Sequence, residues 1–277
     1  RYFVDGAQRT LPLHRIGGVP AAVTVSAVGI VERPPGGACS LVRGSLRLKH
    51  SWIIPRVPGN PELEAFETIV RGRGFEVIDP LEDDAGPALA AGLDYTWLMS
   101  RLYEAGLRAR EREERRALAA FWTGGVHRDT GAWILVDGRL HDPVRGALGL
   151  VKQFSSTYLS AQDAAALMDL PAGSRTTAFH PADRFRAGPE PRRRTLWYMR
   201  LWDAAGQDAR HALVRVEAHG DVRDTDQIDA ISSWLLAERT PRATGDGRWA
   251  TLLYPVHQLE RALKRMIDGE TNGWAGR

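Results

Sequence analysis

Tyr2-Phe3-Val4-Asp5-Gly6 and Trp133-Ile134-Leu135-Val136-Asp137-Gly138 are the stretches that decide the fold. Each apolar run reads as a buried strand that delivers a carboxylate at its carboxyl end, after which a glycine lets the chain turn away. Asp-Gly is also the commonest hairpin signal, so a single copy reads as an ordinary turn. Two copies, each after an apolar strand, point to two acids brought within a few ångströms of each other by neighbouring strands. Ionised carboxylates that close repel unless a cation lies between them. Oxygen ligands of this kind suit hard divalent ions such as Mg²⁺ and Mn²⁺.

Outward from these stretches, the pattern predicts strands over 21–32 and 46–54, separated by the break at Pro34-Pro35-Gly36-Gly37. Close neighbours with tight connections suggest an antiparallel meander. Residues 55–95, rich in Pro, Gly and acid, read as a surface insertion with a short helix at 61–72. Residues 96–121 carry the strongest helical periodicity, with Met99, Leu102, Tyr103, Leu107, Leu118 and Phe121 on one face and Gly124-Gly125 as the stop. A strand or turn over 149–159, a helix over 161–169 and strands over 195–202 and 211–218 follow. Helices over 226–239, capped by Asp224 or Thr225, and 255–268, with Pro255 at its start, close the chain.

The chain has 277 residues, 43% of them hydrophobic and 26% charged. That composition excludes a disordered protein and suffices for a substantial core. We read residues 1–277 as one domain with the 55–95 insertion. No apolar run approaches the ~18 residues a membrane span needs. A single cysteine, Cys39, excludes an intrachain disulfide framework, and a reducing cytoplasm is the expected setting. The chain opens on Arg1 rather than Met, which suggests that it begins inside a longer one. The net charge is only +3, but arginine is locally dense. Arg108, Arg110, Arg112, Arg115 and Arg116 form one cluster, and Arg192, Arg193 and Arg194 another. Such clusters either neutralise phosphates or are solvated faces paired with acids such as Glu111, Glu113 and Glu114. Nine tryptophans is a high count for this length. Trp249 and Trp274 lie in polar, glycine-containing surroundings, as interface or base-stacking residues do, or as local core satellites do. Phosphate loops of the G-x-x-x-x-G-K-[ST] type, G-x-G-x-x-G after a strand and the G-x-S-x-G elbow are all missing from the sequence. His127-Arg128-Asp129 reads as a loop, and His141 and Asp142 as part of a turn.

The long helix supplies a third acid. Its apolar face is centred near the direction of Glu114, with Glu113 and Glu111 to either side, and a glutamate in an apolar stripe must be paired or bound. The order strand-Asp, strand, strand, helix-Glu, strand-Asp is that of a ribonuclease-H-like core. The segments YFVDGAQRT (2–10), WILVDGRL (133–140), GLVKQFSSTYL (149–159) and LLYPVHQLERAL (252–263) resemble the NurA family of DNA end-resection nucleases. The resemblance is scattered from residue 2 to about residue 265.

The resemblance implies an α/β, ribonuclease-H-like core with a mixed central sheet flanked by helices. It implies 5′ to 3′ exonuclease and single-strand endonuclease activity on DNA, dependent on Mn²⁺ or Mg²⁺ and working through two ions. It also implies a homodimer and a HerA-type hexameric ATPase as partner. Position by position, Asp5 and Asp137 match the family's metal-binding aspartates. The helical glutamate falls on Glu114, with Glu113 as an alternative. Lys152 matches the lysine of Gly-x-Val-Lys, and Tyr254 the tyrosine of Tyr-Pro. The family's last ligand has no clear counterpart: Glu260 or His257 takes its place, or none does. Lys152 with Arg9, Arg192, Arg193 and Arg194 would face DNA. A competing reading is a non-catalytic DNA-binding or ATPase-docking module that kept the fold; a third is a metal-dependent RNase or Argonaute-like nuclease half with the same core.

Overall fold

The computed structural model describes residues 1–82, 94–124, 131–140, 144–155, 157–181, 194–241 and 245–274. Arg192, Arg193, His127, Arg128, Asp129, His141 and Asp142 lie outside the described residues. The chain is α/β and forms two compact units. One comprises Arg1–Val4, Val31–Ser40 and Gly125–Leu259; the other comprises Asp5–Ile30, Leu41–Gly124 and Glu260–Arg277.

In the second unit the strand order is β5 (Glu76–Ile78), β4 (Arg47–Ile53), β2 (Val19–Glu32), β1 (Tyr2–Ile16). The two-residue β3 (Ser40–Leu41) pairs with β2. β2 is buried from Val19 to Val31, which is why it reads as a continuous apolar run. β4 runs antiparallel to it, with Thr24 beside Ser51, and β5 runs parallel to β4. Helix α1 (Pro61–Gly72) begins where the Asn60 side chain accepts from Leu63 N at 3.2 Å, with Pro61 at its first position. Helix α2 (Tyr95–Thr123) is capped by Asp94 Oδ1, which accepts from Thr96 N at 2.8 Å and Trp97 N at 3.1 Å. Leu63, Val70, Leu81 and Leu98 share a core with Val19, Ala21 and Ile54. The part of 55–95 that is described is thus core and edge strand as well as surface.

Two expectations change here. Asp5-Gly6 is not a turn: β1 runs on to Ile16, and the chain reverses at Gly17 and Gly18, whose φ values of 55° and 80° suit glycine. Gly6 serves a close approach instead, since a Cβ there would stand 2.5 Å from Glu114 Oε1. The buried stripe of α2 is also rotated from the expected one. It consists of Leu98, Leu102, Ala105, Gly106, Ala109, Glu113, Ala117 and Phe121, while Tyr103 and Leu107 are exposed. The small residues win because they let the helix lie close on the sheet: a Cβ on Gly106 would stand 2.1 Å from Thr10 Oγ1.

In the first unit the order is β1, β6 (Ile134–Asp137), β7 (Ala147–Val151), β9 (Leu213–His219), β8 (Arg194–Arg200). β1, β6 and β7 are parallel, with Val4 beside Val136 and Val136 beside Gly149. β9 and β8 are antiparallel additions. Successive residues of a strand face opposite sides. Trp197 of β8 donates its Nε1–H to Ser232 on helix α4 (Thr225–Ala237) at 3.1 Å, and Tyr198 packs with Leu167 of helix α3 (Ala161–Met168). Both sheet faces are therefore covered. Asp224 caps α4 through Gln227 N at 3.2 Å. Helix α5 (Tyr254–Thr271) begins in this unit and ends in the other. Among the described residues, no helix is long and apolar enough to cross a membrane.

Candidate active site

In the first unit, β6 ends at Asp137 and the chain breaks away at Gly138, whose φ is 121°. The register sets Asp137 beside Leu150 of β7. Two residues on, where β7 ends, Lys152 Nζ lies 2.6 Å from Asp137 Oδ2. Both side chains are part-exposed, at 17% for Lys152 and 24% for Asp137, so the ion pair borders solvent. It lines a cavity of about 520 Å³ together with Arg139, Phe154, Tyr158, Arg215, Arg248 and Thr251.

Arg215 is the group that the sequence reading missed. It lies mid-strand in β9, 3% exposed, and its Nε and Nη2 donate to Glu217 Oε1 at 3.1 and 2.9 Å. Its guanidinium carbon lies 4.9 Å from the Tyr158 ring centroid and 5.6 Å from that of Phe154. Glu217 also accepts from Leu140 N at 3.1 Å, which fixes the turn after Asp137. Arg194 approaches the same carboxylate at 3.8 Å. The signal was present in Leu213-Val214-Arg215-Val216-Glu217, where two opposite charges two residues apart must share one face of a strand. Tyr198 hydrogen-bonds to the Thr157 carbonyl, and burial pushes its phenol up to about 12 against the pull of Arg215.

Tyr254 does not line this cavity. Its ring lies 5.3 Å beneath the Arg33 guanidinium, and Arg33 N bonds to Arg1 O at the opposite end of the β1–β6 pair from Asp137. His257 has a buried Nδ1 with no hydrogen-bond partner among the described residues. Trp249 packs with Trp202 at 5.5 Å and His211 at 5.7 Å, as a local aromatic satellite.

In the second unit, Asp5 is 7% exposed in β1. Glu114 lies against the next residue, Gly6, and is bonded to Arg110 one helical turn away. Glu113 faces elsewhere: its Oε1 pairs with Lys49 Nζ of β4 at 3.1 Å and with Arg116 at 2.5 Å. Of the two glutamates, Glu114 is the one beside the Asp5-Gly6 step, and Glu113 is a satisfied buried charge. Glu260 pairs with Lys264 at 2.6 Å. Arg9 is held by Asp268 and Thr271, each at 3.2 Å. Trp274 is 37% exposed and packs 5.6 Å from His50.

Asp5, Glu114 and Asp137 have the hard oxygen donors that Mn²⁺ and Mg²⁺ prefer. The arrangement does not fit a bound ion as it stands. Glu114 is neutralised by Arg110 and Asp137 by Lys152, and among the described residues no three His, Cys, Asp or Glu side chains converge on a metal-holding point. No family model matches the chain, and no curated protein matches it.

Proposed function

We propose that this chain is a DNA nuclease that hydrolyses phosphodiester bonds, built on a ribonuclease-H-like core. One observation carries the reading. β1 and β6 run parallel with Val4 beside Val136, in each strand the following residue is an aspartate, and the second of these holds Lys152 at 2.6 Å. An ammonium fixed on a carboxylate at a strand end, at the edge of a cavity, meets the negative charge of an incoming phosphate and steadies the charge that grows on it. Arg215 at the cavity wall is held in place by Glu217.

Mn²⁺ or Mg²⁺ enters the proposal only through the resemblance to the NurA family, which assigns Asp5, Glu114 and Asp137 to the ion. An ion on these groups would compete with Arg110 and Lys152 for the same oxygens. The resemblance to the NurA family is what supports single-stranded DNA and duplex ends as substrates, a homodimer, a HerA-type hexameric ATPase as partner and a cytoplasmic setting.

End-labelled single-stranded DNA incubated with the protein and Mn²⁺, with and without EDTA, tests the reading. Cleavage is expected to need the ion and to fall at least about 100-fold in Asp5→Asn and in Asp137→Asn. Cleavage that persists in either variant refutes it. A second reading, a non-catalytic DNA-binding or docking module, is favoured by the cations already seated on Glu114 and Asp137. It predicts DNA bound but uncut in the same assay.

A further inference from the structure

The cavity at Asp137 adjoins a second one of about 620 Å³ in the same unit. They share a wall made by Lys152, Phe154, Arg248 and Thr251, among others, and the second continues past Arg210 and His211. The joint lining is basic. Arg139, Lys152, Arg210, Arg215 and Arg248 face it, against the carboxylates Asp137 and Asp208. Several of these charges are already tethered, Lys152 to Asp137 at 2.6 Å and Arg215 to Glu217 at 2.9 Å among them. Arg248 is bonded to Asp246 at 3.0 Å, and the guanidinium holds that carboxyl below its usual range. Asp208 accepts from Arg210 N at 2.8 Å, which turns the acid toward the backbone. Phe154, half-buried, presents an aromatic surface at the shared wall. A row of cations spaced along a groove, with an aromatic ring among them, is the chemistry that recognises a single nucleic-acid strand. Each cavity has the size of a small-molecule cleft, which admits a nucleotide or two and no duplex.

We propose that a single DNA strand lies along this groove, with one phosphate at Lys152 beside Asp137 and the following phosphates on Arg248 and then Arg210. The inference rests on the nuclease reading for what happens at Asp137, but it concerns where the strand runs beyond it. Arg248 and Arg210 are then length and affinity determinants that take no part in bond cleavage. An oligonucleotide long enough to reach them binds through them, and a dinucleotide does not.

Fluorescence anisotropy with labelled oligothymidylate in EDTA separates the two ideas, because no cleavage is needed. Arg210→Ala and Arg248→Ala, both at exposed positions, are each expected to weaken binding about 10-fold. Each should also flatten the dependence of log K on log salt by about 0.7, the value for one lost single-strand phosphate contact. Arg43→Ala, an exposed change in the other unit, should leave both quantities unchanged. Affinity and salt slope equal to wild type in both groove variants, or no binding by the wild type, overturns the proposal. Binding that responds as expected from a protein that never cuts DNA leaves the groove standing and removes the nuclease reading. Normal cleavage with indifferent variants does the reverse.

Discussion

Lys152 and Arg215 are cationic side chains in the wall of the cavity beside Asp137, and they differ in burial. Lys152→Met keeps the aliphatic stem and removes the charge beside Asp137. Cleavage of labelled DNA should drop about 10²- to 10³-fold, the usual effect of losing one charge-stabilising donor, with the melting curve nearly unchanged. Arg215→Met is a different matter, because Glu217 is 1% exposed and would lose its main partner. Stripping one member from a buried pair costs about 3–5 kcal/mol. Leu140 N and Arg194 remain, so the lower end of that range is expected in urea unfolding. The double change Arg215→Met, Glu217→Met should recover much of the loss.

Among the elements, α2 shows how packing overrules periodicity. Counting large apolar residues selects a face that includes Tyr103 and Leu107, yet both are exposed. The face that meets the sheet is instead lined with Ala105, Gly106 and Ala109. Gly106→Ala is a direct probe. Helix propensity favours alanine by up to ~1 kcal/mol, but its Cβ would fall 2.1 Å from Thr10 Oγ1, an atom bonded to Thr24 at 3.1 Å. Overpacking should win, destabilising the protein by about 1–3 kcal/mol in urea. Adding Thr10→Ala removes the clash and should restore most of the stability. The same rotation explains the two glutamates: Glu113 enters the buried stripe because Lys49 and Arg116 satisfy it, and Glu114 comes to rest on Gly6.

The molecule as a whole carries a readable acid response. The Glu76 carboxyl is pushed up by burial, but the Ser51 hydroxyl and Lys49 ammonium bring it below its ordinary 4.5. Glu67 likewise ends below that value, with burial opposed by Arg71 and Arg56. A depressed folded pKa gives stability that is present above the unfolded value and lost as pH falls through the folded one. Unfolding free energy should therefore decline below about pH 4.5, and Glu76→Gln should flatten that decline. Glu238 runs the other way. Burial raises its pKa despite Arg33, so its contribution is present at low pH and fades as pH climbs through the raised value. Urea titrations at pH 3, 5 and 7 on wild type, Glu76→Gln and Glu238→Gln check both signs.

Local chemistry was legible in the sequence. Apolar runs marked β1, β2, β6, β8 and β9, the Asp224-Thr225 step marked a helix start, and Asp137-Gly138 marked a strand that ends in a turn, because each depends on neighbours within a few residues. The Asp5-Gly6 step looked identical and behaved otherwise: its glycine makes room for Glu114, more than a hundred residues away. Tertiary structure alone decided that, as it decided which glutamate meets β1 and that Arg215, Arg248 and Lys152 line one cavity. The strand order β6-β7-β9 brings Lys152 and Arg215 together from distant segments, the segment ahead of α5 adds Arg248, and the closeness of helix to sheet, set by small side chains, fixes the rest. A pattern of period 2 or 3.6 records how an element faces its surroundings, but not which distant residue it will meet there.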